Sequence, residues 1–326
     1  MDSINKSSGL TTIRGLVSGP QSLFTPLHLT ATLIALGVCA PILALAWQAF
    51  HADLSHWQNL LRFVLPTAVL NTVLLLSGVA LLVTLIGVGC AWAVTAWDFP
   101  GRRMLSWALL LPLAMPTYIV AFAWLDLLHP IGPLQTAIRW LLGYDSPRQF
   151  RLPDLRSLTG AILLLGMVLY PYVYLTTRAM FISQPANLLE AARTLGCSAT
   201  GAFFRVALPM ARPALAVGLS LALLETLNDI GASEFLGVQT LTVTVYTTWI
   251  TRSDLAAAAQ IACLMLVLIF AILSMEIYGR SKQGFSSRSS RDISPVKVGG
   301  WRGALLCTLI SLPVVLGFVA PVSFLA

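Results

Sequence analysis

Four polar side chains stand where the chain could handle an ion. Glu225, Asn228, Asp229 and Glu234 fall within or just beyond the second half of an apolar stretch drawn at 212–232. A carboxylate at the middle of a bilayer costs roughly 2.5–3.5 kcal/mol by insertion scales, so acids at that depth face a cavity or a partner. On a helix Glu225 and Asp229 share a face, where like charges repel unless a cation or a proton comes between them. Carboxylate oxygen suits a hard cation, and the set reads as the border of a translocation path. The competing readings are that these groups cap helix ends, or pair with Arg252 or a basic residue of another span. Enzymatic chemistry has less to work with. No apolar stretch holds a histidine beside a serine, cysteine or acid that would make a nucleophile and its base. Nor does the sequence contain G-x-x-x-x-G-K-[ST], the loop that cradles nucleotide phosphates.

The elements that must position these residues are seven apolar stretches at roughly 30–50, 67–97, 104–127, 159–181, 212–232, 255–278 and 302–323. Each is long enough to cross ~30 Å of hydrocarbon. The chain is 57% apolar and 10% charged with a mean hydropathy of +0.82, against about 25% charged residues in a soluble domain. The expected class is an all-α, polytopic membrane protein; the ~10-residue alternating segments of a β-barrel are missing. A net charge of +7 would point to nucleic acid in a soluble protein, but there is no basic stripe interleaved with aromatics. Basic residues of membrane proteins gather in cytoplasmic loops instead. With the amino terminus inside, 14 Lys and Arg fall on inner segments and six outside, which predicts that orientation. The outer loop of 128–158, with four arginines, is the exception; it reads as solvated or as a docking surface. Trp47, Trp92, Trp97, Trp107 and Tyr170 fall near proposed span ends, as an aromatic belt would. Pro112 and Pro116 should kink the third span, and Pro171 the fourth. The five cysteines lie singly and imply neither disulfide nor zinc. His51 and His56 do not share a helical face and read as interfacial rather than as metal ligands.

Between the fourth and fifth stretches runs a polar segment with a fixed rhythm: Glu190-Ala191-Ala192, three residues, Gly196, nine residues, then Val206-Ala207-Leu208-Pro209. Ser183 as cap and Pro185 in the first turn predict a helix over 185–196, with Leu188, Ala191, Ala192 and Leu195 along one narrow apolar face. Gly196 supplies its stop, and Pro209 and Pro213 a turn into the fifth span. So short a helix cannot cross a bilayer and must lie at its surface.

That rhythm resembles the cytoplasmic EAA loop of binding-protein-dependent ABC importer permeases, with Val206 replacing an isoleucine. The resemblance extends over 66–278. Asn71-Thr72 opens the second span as in these permeases, and LPLAMPTYIVAFAWLDLL is similar to their third. The segment Glu225–Trp249 and the LAAAAQIACLMLVLIF that follows look most like the ferric iron branch. The resemblance implies a type I importer permease fold in the bacterial inner (cytoplasmic) membrane, with the loop of 183–212 docking on separate ABC ATPase subunits. ATP and magnesium would sit on those subunits, with no cofactor in this chain. A periplasmic binding protein would deliver the solute, and a second permease half, fused or separate, would complete the path through the lipid. Ferric iron is the favoured cargo; thiamine, polyamines and oxyanions also pass through such permeases. An ion-coupled secondary transporter is the reading from a different class.

The expected organisation is a cytoplasmic segment at 1–29, a six-span permease at 30–278, and a polar cytoplasmic linker at 279–300, GRSKQGFSSRSSRDISPVKVGG. Residues 301–326 would be the opening span of a second permease half.

Overall fold

A computed structural model of the chain describes residues 26–51, 60–184, 186–280 and 295–326. Most of the amino-terminal segment with Lys6 and Arg14, together with His56, Pro185 and most of the linker, lies outside the described residues, as does the side chain of Leu188. The described part is almost entirely helical, as chains that must satisfy their own backbone groups in lipid have to be.

Helix α1 is Pro26–Phe50. A π turn, Leu60–Val64, leads directly into α2, Leu65–Ala96; β1, Trp97–Asp98, follows. The third stretch is divided into α3 (Arg102–Ala108), a 3-10 turn (Leu111–Ala114) and α4 (Thr117–Leu127). Helix α5, Pro133–Leu142, lies in the connection to α6, Leu158–Ser183. Then come α7 (Ala186–Thr194), α8 (Ala199–Ala202), a π turn (Phe203–Ala207) and α9 (Leu208–Asn228). Short helices α10 (Gly231–Phe235) and α11 (Leu241–Tyr246) precede α12, Leu255–Arg280. The chain continues through β2 (Val296–Lys297), α13 (Gly300–Val314) and α14 (Ala320–Leu325).

Among the described residues six helices are long and apolar enough to cross a membrane, and the bent pair Arg102–Ala114 and Thr117–Leu127 makes seven if it counts as one span. Helices α2, α6 and α9 pack on one another to form the core, with α12 against α9 and α1 on the outside of α12. Close approach depends on small residues, as it does between helices in lipid. A methyl group at Gly87 of α2 would meet the Val173 side chain of α6 at 2.8 Å. Asn71 and Thr72 fix the far end of α2: the Asn71 amide donates to the Gln239 carbonyl (3.1 Å), and the Thr72 hydroxyl accepts from the Leu241 N–H (2.9 Å).

Three expectations change. The third span is not a kinked rod but a broken one, bent by 93°. Pro112 and Pro116 remove two ladder donors within one turn, and Pro116 leaves the helical region altogether (ψ 133°). The fifth span begins earlier and ends earlier than drawn, with helical structure from Thr200 to Asn228. Pro209 and Pro213 therefore set no turn. Pro209 sits in the first turn of α9 and Pro213 inside it, directly after the π turn. Finally, Tyr170 lies midway along α6 and is fully buried rather than interfacial.

The seventh span belongs to the same packed body. The Trp124 indole of α4 donates to the Leu316 carbonyl at 3.0 Å, and Gly317 faces the Met167 carbonyl of α6 at close range. Trp97 and Asp98 form a parallel bridge with Val296 and Lys297, sealed by a 2.8 Å bond from the Val298 N–H to the Asp98 carbonyl.

Candidate functional site

The polar loop between α6 and α9 is a short helix set beside the spans. Its glycine takes the left-handed conformation (φ +89°), and the Gly196 and Cys197 N–H groups return to the carbonyls of Arg193 and Ala192, both at 3.0 Å. Ala192 is buried, while Glu190, Ala191, Arg193, Thr194 and Gly196 face outward and Leu195 is 85% exposed. Helix α7 rests on α8 and on the π turn. The turn holds half-buried Val206, and half-buried Leu208 and Pro209 open α9 beyond it. All seven residues of the rhythm are thus gathered in one region at one end of the spans.

Two residues outside the rhythm fasten it. Gln184, 3% exposed, leaves α6 in an extended conformation and donates from Nε2 to the Ala207 carbonyl at 2.9 Å. This ties the two ends of the loop together. Phe203 is wedged against Trp92 of α2 (centroids 4.9 Å apart) and Phe181 of α6 (6.4 Å). The Ser183 hydroxyl donates back to the Met180 carbonyl at 2.9 Å, and among the described residues it makes no capping bond. A glutamine and a phenylalanine flanking the loop carry no local signal; only the folded hairpin shows what they hold.

At mid-span a second polar region opens. The break between the 3-10 turn and α4 borders a cavity of about 320 Å³, with Thr117, Tyr172 of α6 and Glu225 of α9 as its polar walls. Irregular backbone at this depth is tolerated where it is packed in protein or lines a wet cavity. Among the described residues no lysine or arginine lines the cavity. Glu225 is exposed on the face of α9 that opens there, and a bare carboxylate cannot rest against acyl chains.

The other three acids and amides divide. Helix α9 stops at Asn228, so Asp229, extended at ψ 100°, is not on one helical face with Glu225. Its Oδ1 accepts from the Ala232 N–H at 2.8 Å and caps α10. Asn228 and Glu234 are exposed near the same end of α9. Among the described residues no three acids, histidines or cysteines converge as a metal cage. Arg252 pairs with none of these acids; the ion pairs among the described residues are Arg102–Asp98 and Arg151–Asp154. Thr117 and Tyr172 were not marked by the sequence pattern, although two prolines four residues apart within an apolar stretch are the trace of the break they border.

Six apolar spanning helices, a broken apolar helix pair lining a polar cavity and an exposed helical loop at one end are the features of a membrane permease. The chain belongs to the family of binding-protein-dependent transport system inner membrane components, whose profile matches residues 84–284. It is 25% identical over 258 residues to the Fe(3+)-transport system permease protein FbpB 2 of Haemophilus influenzae, covering 79% of this chain and 46% of that protein. It is 30% identical over 158 residues to the molybdenum transport system permease protein ModB of Escherichia coli, covering 48% of this chain and 66% of ModB. The chain thus spans about half of the length of the first and about two thirds of the second. In the crystal structure of a bacterial alginate ABC transporter with its alginate pentasaccharide-bound periplasmic protein, one chain superposes with a TM-score of 0.62 at 18% identity. That match covers 78% of this chain and 91% of the other, and shows the shared fold.

Proposed function

We propose that the chain is the transmembrane permease half of an ATP-driven importer that receives a hard cation, ferric iron, from a periplasmic binding protein and passes it to the cytoplasm by alternating access. The amino terminus and α7 face the cytoplasm, in keeping with the distribution of basic residues. ATPase subunits seat α7 in a cleft through Ala191 and Leu195, with Glu190 and Arg193 as charged edges, and carry ATP and magnesium themselves. A second permease half covers the face of α9 that exposes Glu225. The seventh span is read as the opening span of that half.

Supporting the coupling role is the rigid hairpin. Closure of the ATPase dimer pushes α7; the Gln184–Ala207 tie and the Phe203 wedge pass the push to α6 and α9. Helix α9 then carries it about 26 Å along its axis, at 1.5 Å per residue, from Leu208 to Glu225. Supporting the cation is a single observation: among the described residues the mid-span cavity presents a carboxylate and no basic side chain. Such a wall repels oxyanions and favours hard cations.

The test is ATPase stimulation by the loaded binding protein in proteoliposomes. Glu190→Arg and Gly196→Pro should both abolish it while leaving basal ATP hydrolysis by the ATPase subunits. Stimulation at the wild-type level in both variants would sink the coupling role of α7.

A further inference from the structure

On the orientation proposed above, the outer connection of 128–158 carries a helix built inside out. In α5 the polar residues Gln135 and Arg139 share one face and are only 1% and 5% exposed. Ala137, Trp140 and Leu141 fill the opposite face, where Trp140 is 81% and Leu141 78% exposed, and Ile131 is equally open in the turn before it. A helix surrounded by water would roll the other way, since a large apolar side chain gains more from burial than a neutral hydrogen bond returns.

The inversion is fixed by the chain on either side. The Gln135 amide donates to the Leu128 carbonyl at 2.6 Å, and its oxygen accepts from the Leu152 N–H at 3.2 Å, so one side chain joins the end of α4 to the approach to α6. Arg139 Nη2 donates to the Thr136 hydroxyl at 3.0 Å. Gly143 stops the helix at φ +75°, and beyond it Tyr144 stacks on Phe150 with centroids 5.6 Å apart. The turn into α5 also sets its level. The His129 N–H returns to the Asp126 carbonyl at 3.1 Å and the Gly132 N–H to the His129 carbonyl at 2.7 Å; a methyl group at Gly132 would lie 3.1 Å from the Asp126 carbonyl oxygen. Helix α5 therefore starts against the last turn of α4, beside the span end rather than above it. The headgroup layer at that level is about 5–8 Å thick, so a helix about 10 Å across has lipid as its neighbour. Tryptophan favours this layer. Arg151 pairs with Asp154, while Arg148 and Arg156 are exposed and enter no ion pair among the described residues.

We propose that α5 is an interfacial anchor lying in the headgroup layer of an anionic bilayer, with Ile131, Trp140 and Leu141 against the acyl chains and Arg148 and Arg156 on the lipid phosphates. Guanidinium forks suit phosphate oxygens, and two of them near a negative surface add to the apolar hold. The anchor ties the outer ends of α4 and α6, which both wall the Glu225 cavity, to the plane of the membrane. It stands whether or not the cargo is a cation and whether or not α7 couples to an ATPase.

The full chain in nanodiscs of phosphatidylethanolamine and phosphatidylglycerol tests this, on a background with all five cysteines replaced by alanine. Leu141→Cys and Trp140→Cys, each carrying a nitroxide label, are read separately by power-saturation electron paramagnetic resonance, so a variant that fails to fold leaves the other. The label should relax with oxygen, which dissolves among acyl chains, and be shielded from a water-soluble nickel chelate. Strong relaxation by nickel means that water covers the face, and weak relaxation by both agents means that protein does; either result overturns the anchor. Without any label, lipids brominated near the headgroup should quench the fluorescence of the wild type more than that of Trp140→Phe, and equal quenching overturns it too. Phosphatidylcholine in place of phosphatidylglycerol should raise nickel relaxation at both labels. The same shielding in both lipids overturns the role given to Arg148 and Arg156.

Discussion

The loop of 184–207 and the mid-span break of 111–117 are both interruptions of an apolar chain, and they are built in opposite ways. The loop is contiguous: its helix, its stop at Gly196 and its tie from Gln184 to Ala207 lie within two dozen residues, and its charges stand in water. The break is assembled from three distant elements, Thr117, Tyr172 and Glu225, around backbone that two prolines have freed. Water makes the first inexpensive, since exposed charges and carbonyls remain solvated there. At mid-span every such group must be answered by protein or by a wet cavity. A surface handle can therefore be written locally, whereas a path through a bilayer has to be enclosed.

That contrast breaks first at the loop. Proline at Gly196 lacks the N–H that meets Arg193 and cannot take a φ of +89°, so coupling should be lost altogether, with no change in retention of the substrate-path geometry. Binding-protein-stimulated ATPase activity reads this, and Glu225→Gln in the same assay should retain stimulation. Next in size, Glu225→Gln should lower cation uptake about tenfold, the loss of one charge-assisted contact. Radiolabelled iron entering proteoliposomes measures it, and faster entry of an oxyanion in its place would move the cargo to that class. Gln184→Leu leaves the Ala207 carbonyl without its side-chain donor and should cost about 1–3 kcal/mol. Faster hydrogen exchange confined to the 186–194 amides is the expected signature; an unaltered rate means the tie does not hold the hairpin. The smallest effect belongs to Trp124→Phe, which removes the bond to the Leu316 carbonyl and should cost about 0.6 kcal/mol, the average for side-chain bonds between membrane helices. A lowered thermal midpoint with unchanged stimulation would show that the seventh span is held there but does not transmit.

Much of this was legible residue by residue. Six of the seven apolar stretches are single helices long enough to cross and the third is a bent pair, because length and hydropathy decide what can enter hydrocarbon. Gly196 was readable as a helix stop because the positive φ is a local requirement. The misreadings share one cause. Pro209 and Pro213 look like a turn in isolation, yet packing of α9 against α2 and α6 carries the helix through them. Pro112 and Pro116 look alike on paper, yet there the helix breaks. Which outcome a proline gives depends on whether neighbours satisfy the freed carbonyls, and that is not written beside the proline. Tyr170 is a different case: the stretch drawn at 159–181 already had it at its centre, and the helix Leu158–Ser183 keeps it there.

By itself the sequence determined the class of molecule, the rhythm of the loop and the presence of acids that lipid would not accept, since each follows from the preference of single residues or short windows for water or hydrocarbon. Only the tertiary structure decided which acid serves which end. Glu225 opens on a cavity, Asp229 is spent on capping α10, and Asp254 on capping α12. The reason is geometric: a charge in a membrane is defined by what encloses it, and the enclosing residues come from spans scores of positions away.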